Sequence, residues 1–231
     1  IYIMQKLFNV VLLLFCLNVF SQEELNFSAI DSLYREDQFY FGVTYNILNL
    51  KPIDVSQNSF STGLNLGFLR DFPINKMRTF AVAPGLGFSY SNYKENLRVD
   101  DFGGSINYSV IPSGVSYEKN KLALYFVDLP VEFRWRTSTF ESHKFWRVYA
   151  GFKLSYLFLS QSRYVDGEKN IKINNNPDVN KIHYGAYLSA GYNSWNLYAY
   201  YGLNNMFKSG ALSRDPIELS TLNVGLMFYI L

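Results

Sequence analysis

Thiols are nearly absent from this chain: one cysteine, Cys16, in 231 residues. It lies inside an apolar run, residues 7–20, that follows Met4-Gln5-Lys6. A basic start at Met4, an apolar stretch too short to span a bilayer, and Val19 and Ser21 ahead of Gln22 predict a secretory signal peptide over residues 1–21. Phe15 before Cys16 is too bulky for a lipoprotein cleavage box. The mature chain then has no disulfide and no thiolate metal ligand. No second apolar run is long enough for a membrane helix. Histidine is scarce, with two residues, so imidazole chemistry has little to work with. Charge of either sign is not in excess: the formal net charge of +2 falls to +1 when Lys6 leaves with the leader. That balance offers no footprint for nucleic acid.

Aromatic residues are plentiful: nineteen Tyr and twenty Phe help bring the aromatic share to 18%, at a mean hydropathy of −0.05. Residues 222–231 show how they are used. Leu222, Val224, Leu226, Phe228 and Ile230 fall on one face; Asn223, Gly225, Met227 and Tyr229 fall on the other. Period-two alternation marks a strand between two environments. The order Asn223, Gly225, Phe228, Ile230 resembles the C-terminal signal that barrel-insertion machinery reads in bacterial outer-membrane barrels.

The same alternation recurs upstream. Residues 22–37 read as a polar periplasmic extension, and residues 38–231 as the barrel. Strands are expected at 38–50, about 59–72, 79–93, 122–137, 145–161, 181–192, 195–207 and 222–231. The stretches 94–121 and 163–180 read as long loops, whereas 71–78, 138–144 and Asn193-Ser194 read as turns. Short turns on one side and long loops on the other predict an all-β, eight-stranded antiparallel transmembrane β-barrel with both termini periplasmic.

The faces assign inside and outside. Asp128, Glu132, Arg134 and Arg136 share one side of the fourth strand, and Arg147 and Lys153 one side of the fifth. A cation on the lipid face at the bilayer midplane costs roughly 2–4 kcal/mol, so these six belong in the lumen. There they are expected to form a self-neutralising salt-bridge network, the alternative being a gate or cargo contact. Gly63, Gly67, Gly85, Gly87, Gly185 and Gly191 fall on the same side, which suggests room for the large charged groups. Trp135, Trp146 and Trp195 are expected at the periplasmic rim as an aromatic girdle. Pro84 and Pro130 lie within strands that have no edge; a bulge or kink is expected at each, and a bulge would offset Asp128 from Glu132.

Several stretches resemble one family. Residues 31–40 (DSLYREDQFY), 44–46 (TYN), 56–61 (SQNSFS), 67–76 (GFLRDFPINK) and 85–88 (GLGF) look like PorT, also called SprT, an outer-membrane barrel of the type IX secretion system of Bacteroidetes. Asp128-Leu129-Pro130-Val131 resembles a strand motif of the wider small-barrel group. The resemblance implies a part in exporting proteins with C-terminal sorting domains, and gliding adhesins where present. Its implied partners are outer-membrane lipids, the insertion machinery and other secretion components. Eight strands enclose only enough space for side chains, so an accessory or assembly role is expected rather than a conduit. A passive porin is the alternative.

An enzyme is a weaker reading. His143 falls in a turn, and His183 and Ser189 share a lumen face too far apart to pair. Asp100, Asp101, Asp166 and Glu168 lack the spacing of a calcium loop. No cofactor, metal or catalytic residue is expected.

Overall fold

The computed structural model describes residues 35–52, 54–57, 59–137, 145–208 and 219–230. The expected signal peptide, most of the expected extension and His143 lie outside the described residues. In chain order the strands are β1 (Gln38–Asn49), β2 (Thr62–Leu69), β3 (Phe72–Pro73), β4 (Phe80–Tyr93), β5 (Leu97–Phe102), β6 (Ser105–Val110), β7 (Lys119–Arg136), β8 (Trp146–Asp166), β9 (Lys169–Asn174), β10 (Ile182–Tyr192), β11 (Trp195–Gly202) and β12 (Ser220–Ile230). Eight of these close a ring, β1-β2-β4-β7-β8-β10-β11-β12 and back to β1, through antiparallel pairs throughout.

The ring is inside-out relative to a soluble protein. On β7, Phe133 is 64% exposed while its neighbour Arg134 is 1% exposed. Leu129, Val131 and Trp135 also face outward, and Asp128, Glu132 and Arg136 face inward. A soluble sandwich built from the same alternation would bury the phenyl ring and solvate the guanidinium. A continuous outer band of Phe, Leu, Val and Tyr is stable only against hydrocarbon.

Strand ends differ from expectation where the alternation fades. Residues 94–121 and 163–180, expected as loops, carry the β5–β6 hairpin, the start of β7 and a β8–β9 hairpin that rises past the ring. Both faces of β6 and β9 are largely solvated, so no apolar face marks them as strands. The expected second strand is shorter, and β3 instead falls within the expected turn, paired with β4. The seventh strand stops at Gly202; Met206 and Phe207 fold over the lumen instead.

The prolines are accommodated without a bulge. Pro84 lies between the part of β4 that pairs with β2 and the part that pairs with β3, and its carbonyl accepts from the Arg70 amide (2.9 Å). A residue's N–H and C=O point the same way in a strand, so its missing N–H falls in that gap. Pro130 lies where the β4–β7 ladder skips from Pro84–Val131 to Gly87–Asp128. Register is the same on both sides, so Asp128 and Glu132 do share the inner face. The bulge is elsewhere: opposite Tyr125 and Phe126, β8 carries one extra residue, Phe158. Beyond it the inward residues of β8 change from odd to even numbers.

Candidate functional site

The charged lumen at the chain-end mouth is the candidate site. Among the described residues, four carboxylates and four cations are buried inside the ring: Glu36, Asp71, Asp128 and Glu132 with Arg134, Arg136, Arg147 and Lys153. The expected single network divides into parts. At the mouth, Arg136 grips Asp71 through both terminal nitrogens (2.9 and 2.8 Å) and reaches Glu36 (3.4 Å). Arg134 donates to Asp71 (3.1 Å), to the Glu36 carbonyl (3.1 Å) and to Glu132 (2.9 Å). The second oxygen of Glu132 accepts from Tyr187 (3.1 Å) and Tyr229 (3.0 Å). Higher up, Lys153 meets Asp128 (3.4 Å) and Asn65 (3.4 Å), and Ser155 donates to Asp128 (2.5 Å). Arg147 stands apart. Its guanidinium packs over the rings of Phe145 (4.5 Å), Tyr229 (5.7 Å) and Tyr149 (5.8 Å), a cation–π cage.

Glu36 and Asp71 were not legible as site residues. Neither lies in a strand, so alternation says nothing of them. The segment before β1 tucks into the mouth: the Asp71 amide donates to Asp37 (2.8 Å), and the Glu36 amide to Asp71 (3.4 Å). Taking an ion into a dry lumen costs several kcal/mol, repaid only when its hydrogen bonds are met. Arg136 with Asp71 meets that condition by its bidentate geometry.

The middle of the lumen is a packed stack of Tyr40, Tyr149, Tyr187, Tyr198, Tyr200 and Tyr229 with Met227. Gly67, Gly87, Gly151 and Gly185 make room for these rings rather than for the charges. A Cβ at Gly87 or Gly67 would strike the Tyr40 hydroxyl, and one at Gly151 the Tyr187 ring. Two cavities lined by described lumen residues measure about 10 and 30 Å³, each room for no more than a few waters. Above the stack, Leu48, Tyr93, Leu122, Leu124, Phe126, Leu157, Val179, Met206, Phe207 and Leu219 form an apolar cluster that closes the hairpin end.

The other expected residues fall as follows. Trp135, Trp146 and Trp195 face outward at the chain-end rim, Trp146 beside Tyr192 (5.4 Å) and Trp195 edge-on to Phe228 (4.9 Å). Ile230 pairs with Phe39 at the same rim. Asn223 lines the upper lumen and accepts from Thr221 (2.5 Å). Gly225 passes so close to β1 that a Cβ would overlap the Val43 carbonyl oxygen. His183 donates through Nε2 to the Asn180 carbonyl (2.9 Å) and lies edge-on to Phe126 (5.0 Å), as a space-filling group of the upper lumen. Ser189 lies across from Tyr149 and Tyr198 instead. Asp100 pairs with Arg98 (2.7 Å), Asp101 accepts from the Gly104 amide (2.8 Å) and Asp166 from Tyr164 (3.0 Å), all within the hairpins. Outside the membrane band, Glu95 is buried with Oε2 unpartnered, and burial pushes its carboxyl up to about 8.

The profile of the outer membrane protein beta-barrel domain matches residues 20–208. The chain belongs to that family. As an outer-membrane β-barrel it presents its apolar band to lipid and keeps its ions in the lumen. Solved structures similar to this barrel include two of Ail, the attachment invasion locus protein of Yersinia pestis. One has 12% identity and a TM-score of 0.43, covering 86% of this chain and 100% of that one. The other, in complex with the heparin analogue sucrose octasulfate, has 10% identity and a TM-score of 0.39 over the same shares. No curated protein sequence matches the barrel.

Proposed function

We propose that this outer-membrane barrel is an accessory or assembly component of the type IX secretion system, supporting export of proteins with C-terminal sorting domains. The observation that carries the reading is where the family-like stretches meet. Glu36 belongs to the first of them and Asp71 to the fourth, and the two converge on Arg134 and Arg136 to seal the mouth, with Asp37 of the first stretch accepting from the Asp71 amide. With charge at one end, tyrosine in the middle and hydrocarbon at the other, the lumen leaves no passage for a polypeptide. The barrel then acts through its rims, with its hairpins outside the cell and both termini in the periplasm. In this orientation Trp135, Trp146 and Trp195 form the periplasmic girdle, and Asn223, Gly225, Phe228 and Ile230 the signal for the insertion machinery. Partners are other components of the secretion system.

The test is deletion of the gene followed by fractionation. Cargo with a C-terminal sorting domain is expected to accumulate in the periplasm, and complementation to return it outside. Normal external cargo in the deletion strain would sink the proposal.

A further inference from the structure

The β7–β8–β9 surface at the hairpin rim carries an arrangement that the barrel itself does not explain. Lys121 on β7 lies directly opposite Arg163 on β8, and Arg163 directly opposite Lys172 on β9. Three cations therefore stand abreast on one face of three neighbouring strands. Like charges in direct register are destabilising. Lys94 and Lys119 are also close enough to repel Lys121. The other residues of these rows on that face are Ala123, Gln161, Val165, Asn170 and Asn174, none of them acidic. Among the described residues, Lys121, Arg163 and Lys172 make no ion pair. The Arg163 Nε is buried without a hydrogen-bond partner.

Height fixes what sits in front of them. From Trp135 up β7 to Tyr125 is ten residues, about 33 Å of strand and, at the usual tilt, about 25 Å of membrane normal, the thickness of an apolar band. At Tyr125 the outer face is aromatic, with Tyr90 at 5.0 Å and Phe158 at 6.3 Å. Lys121 is four residues further, roughly 10 Å above that edge and so in the headgroup layer. Acyl chains resting on Tyr125 and Phe158 put their phosphate at the cationic row. Just below that row Gln161 and Asn174 form an amide pair (3.2 Å) suited to sugar hydroxyls.

We propose that Lys121, Arg163 and Lys172 form a binding site for the phosphate of an acylated glycolipid, with Lys94 and Lys119 at its edge. The leaflet that supplies it, the outer one, rests on the orientation proposed above. Bound phosphate would turn a repulsive row into charge-assisted hydrogen bonds, with Arg163 as the central fork.

The test uses the mature protein in detergent, titrated with diphosphoryl lipid A or its dephosphorylated form, with retained lipid read by native mass spectrometry. The wild type is expected to hold the phosphorylated form at least about tenfold more tightly, the effect of one charge-assisted hydrogen bond. A triple variant, Lys121→Gln with Arg163→Gln and Lys172→Gln, is expected to lose that preference. Arg163→Lys alone and Lys51→Gln, on a distant loop, are expected to keep it. Heat-modifiable gel mobility checks that each variant is folded. Equal retention of the two lipids by the wild type overturns the phosphate site. An unchanged preference in the folded triple variant overturns the residue assignment. Competition by millimolar inorganic phosphate overturns the requirement for acyl chains. A tag at Gly103-Gly104, probed on intact cells, reads the orientation separately and is independent of lipid binding.

Discussion

The two ends of this barrel are closed by opposite chemistry. The chain-end mouth is sealed by Asp71, Glu36, Arg134 and Arg136, all fully buried or nearly so. The hairpin end is sealed by an aliphatic and aromatic cluster around Leu124 and Leu157. Ions in a dry interior need particular partners at particular angles, and the loss of one leaves the other stranded. Hydrocarbon needs only volume, and neighbours relax into part of what is lost. The lower seal is therefore brittle and the upper one plastic.

Asp71→Ala breaks the comparison most severely. It takes a shared carboxylate from two buried guanidinium groups, and a loss of roughly 3–5 kcal/mol is expected in urea unfolding followed by tryptophan fluorescence. A smaller loss than that of Leu157→Ala would contradict the contrast. Conservative exchanges sharpen it. Arg136→Lys gives up a bidentate pair and should cost about 2 kcal/mol, whereas Leu157→Met keeps volume and should cost about 1 kcal/mol or less.

Glu95 gives the hairpin end a pH dependence of its own. Its folded pKa of about 8 lies above the ordinary 4.5, so the folded chain holds this proton longer than the unfolded one. This contribution to stability is full below the ordinary value, falls as pH rises through the window, and is lost by the upper value. Glu95→Gln should flatten that slope in unfolding measured at both ends of the window; a slope unchanged by the substitution would show that another group sets it. The smallest expected signal is in planar bilayers. The wild type should show no discrete conductance, and opening the mouth alone with Glu132→Ala should still show none, because the apolar seal remains. Steady channels in that variant would mean that the hairpin end is open.

The difference between the ends also governs what was legible in the sequence. In the middle of each strand, lipid on one face and a packed lumen on the other impose alternation, so the inward set from Asp128 to Lys153 could be read directly. Glu36 and Asp71 could not, because they act from coil segments on either side of strands. The tyrosine stack was hidden because Tyr is at home both in the lumen and against lipid: Tyr198 is buried while Tyr201 is exposed. At the hairpins the membrane has ended, both faces meet water or each other, and the periodicity that names a strand is gone. The prolines misled for a related reason. Pattern shows a missing donor, but only the ladder shows that pairing is already broken there.

Ring closure has a consequence for the order of events in folding. β1 and β12 are joined along eleven residue pairs, from Phe39–Ile230 to Asn49–Ser220. β1 therefore waits for β12, with the other six strands of the ring between them. Until the final residues arrive, every partial sheet has two raw edges, the condition most prone to mispairing with other chains. Such long-range closure is also intrinsically slow. Removing the last strand would not yield a seven-stranded barrel of lower stability; it would leave a sheet that cannot seal its backbone from lipid at all.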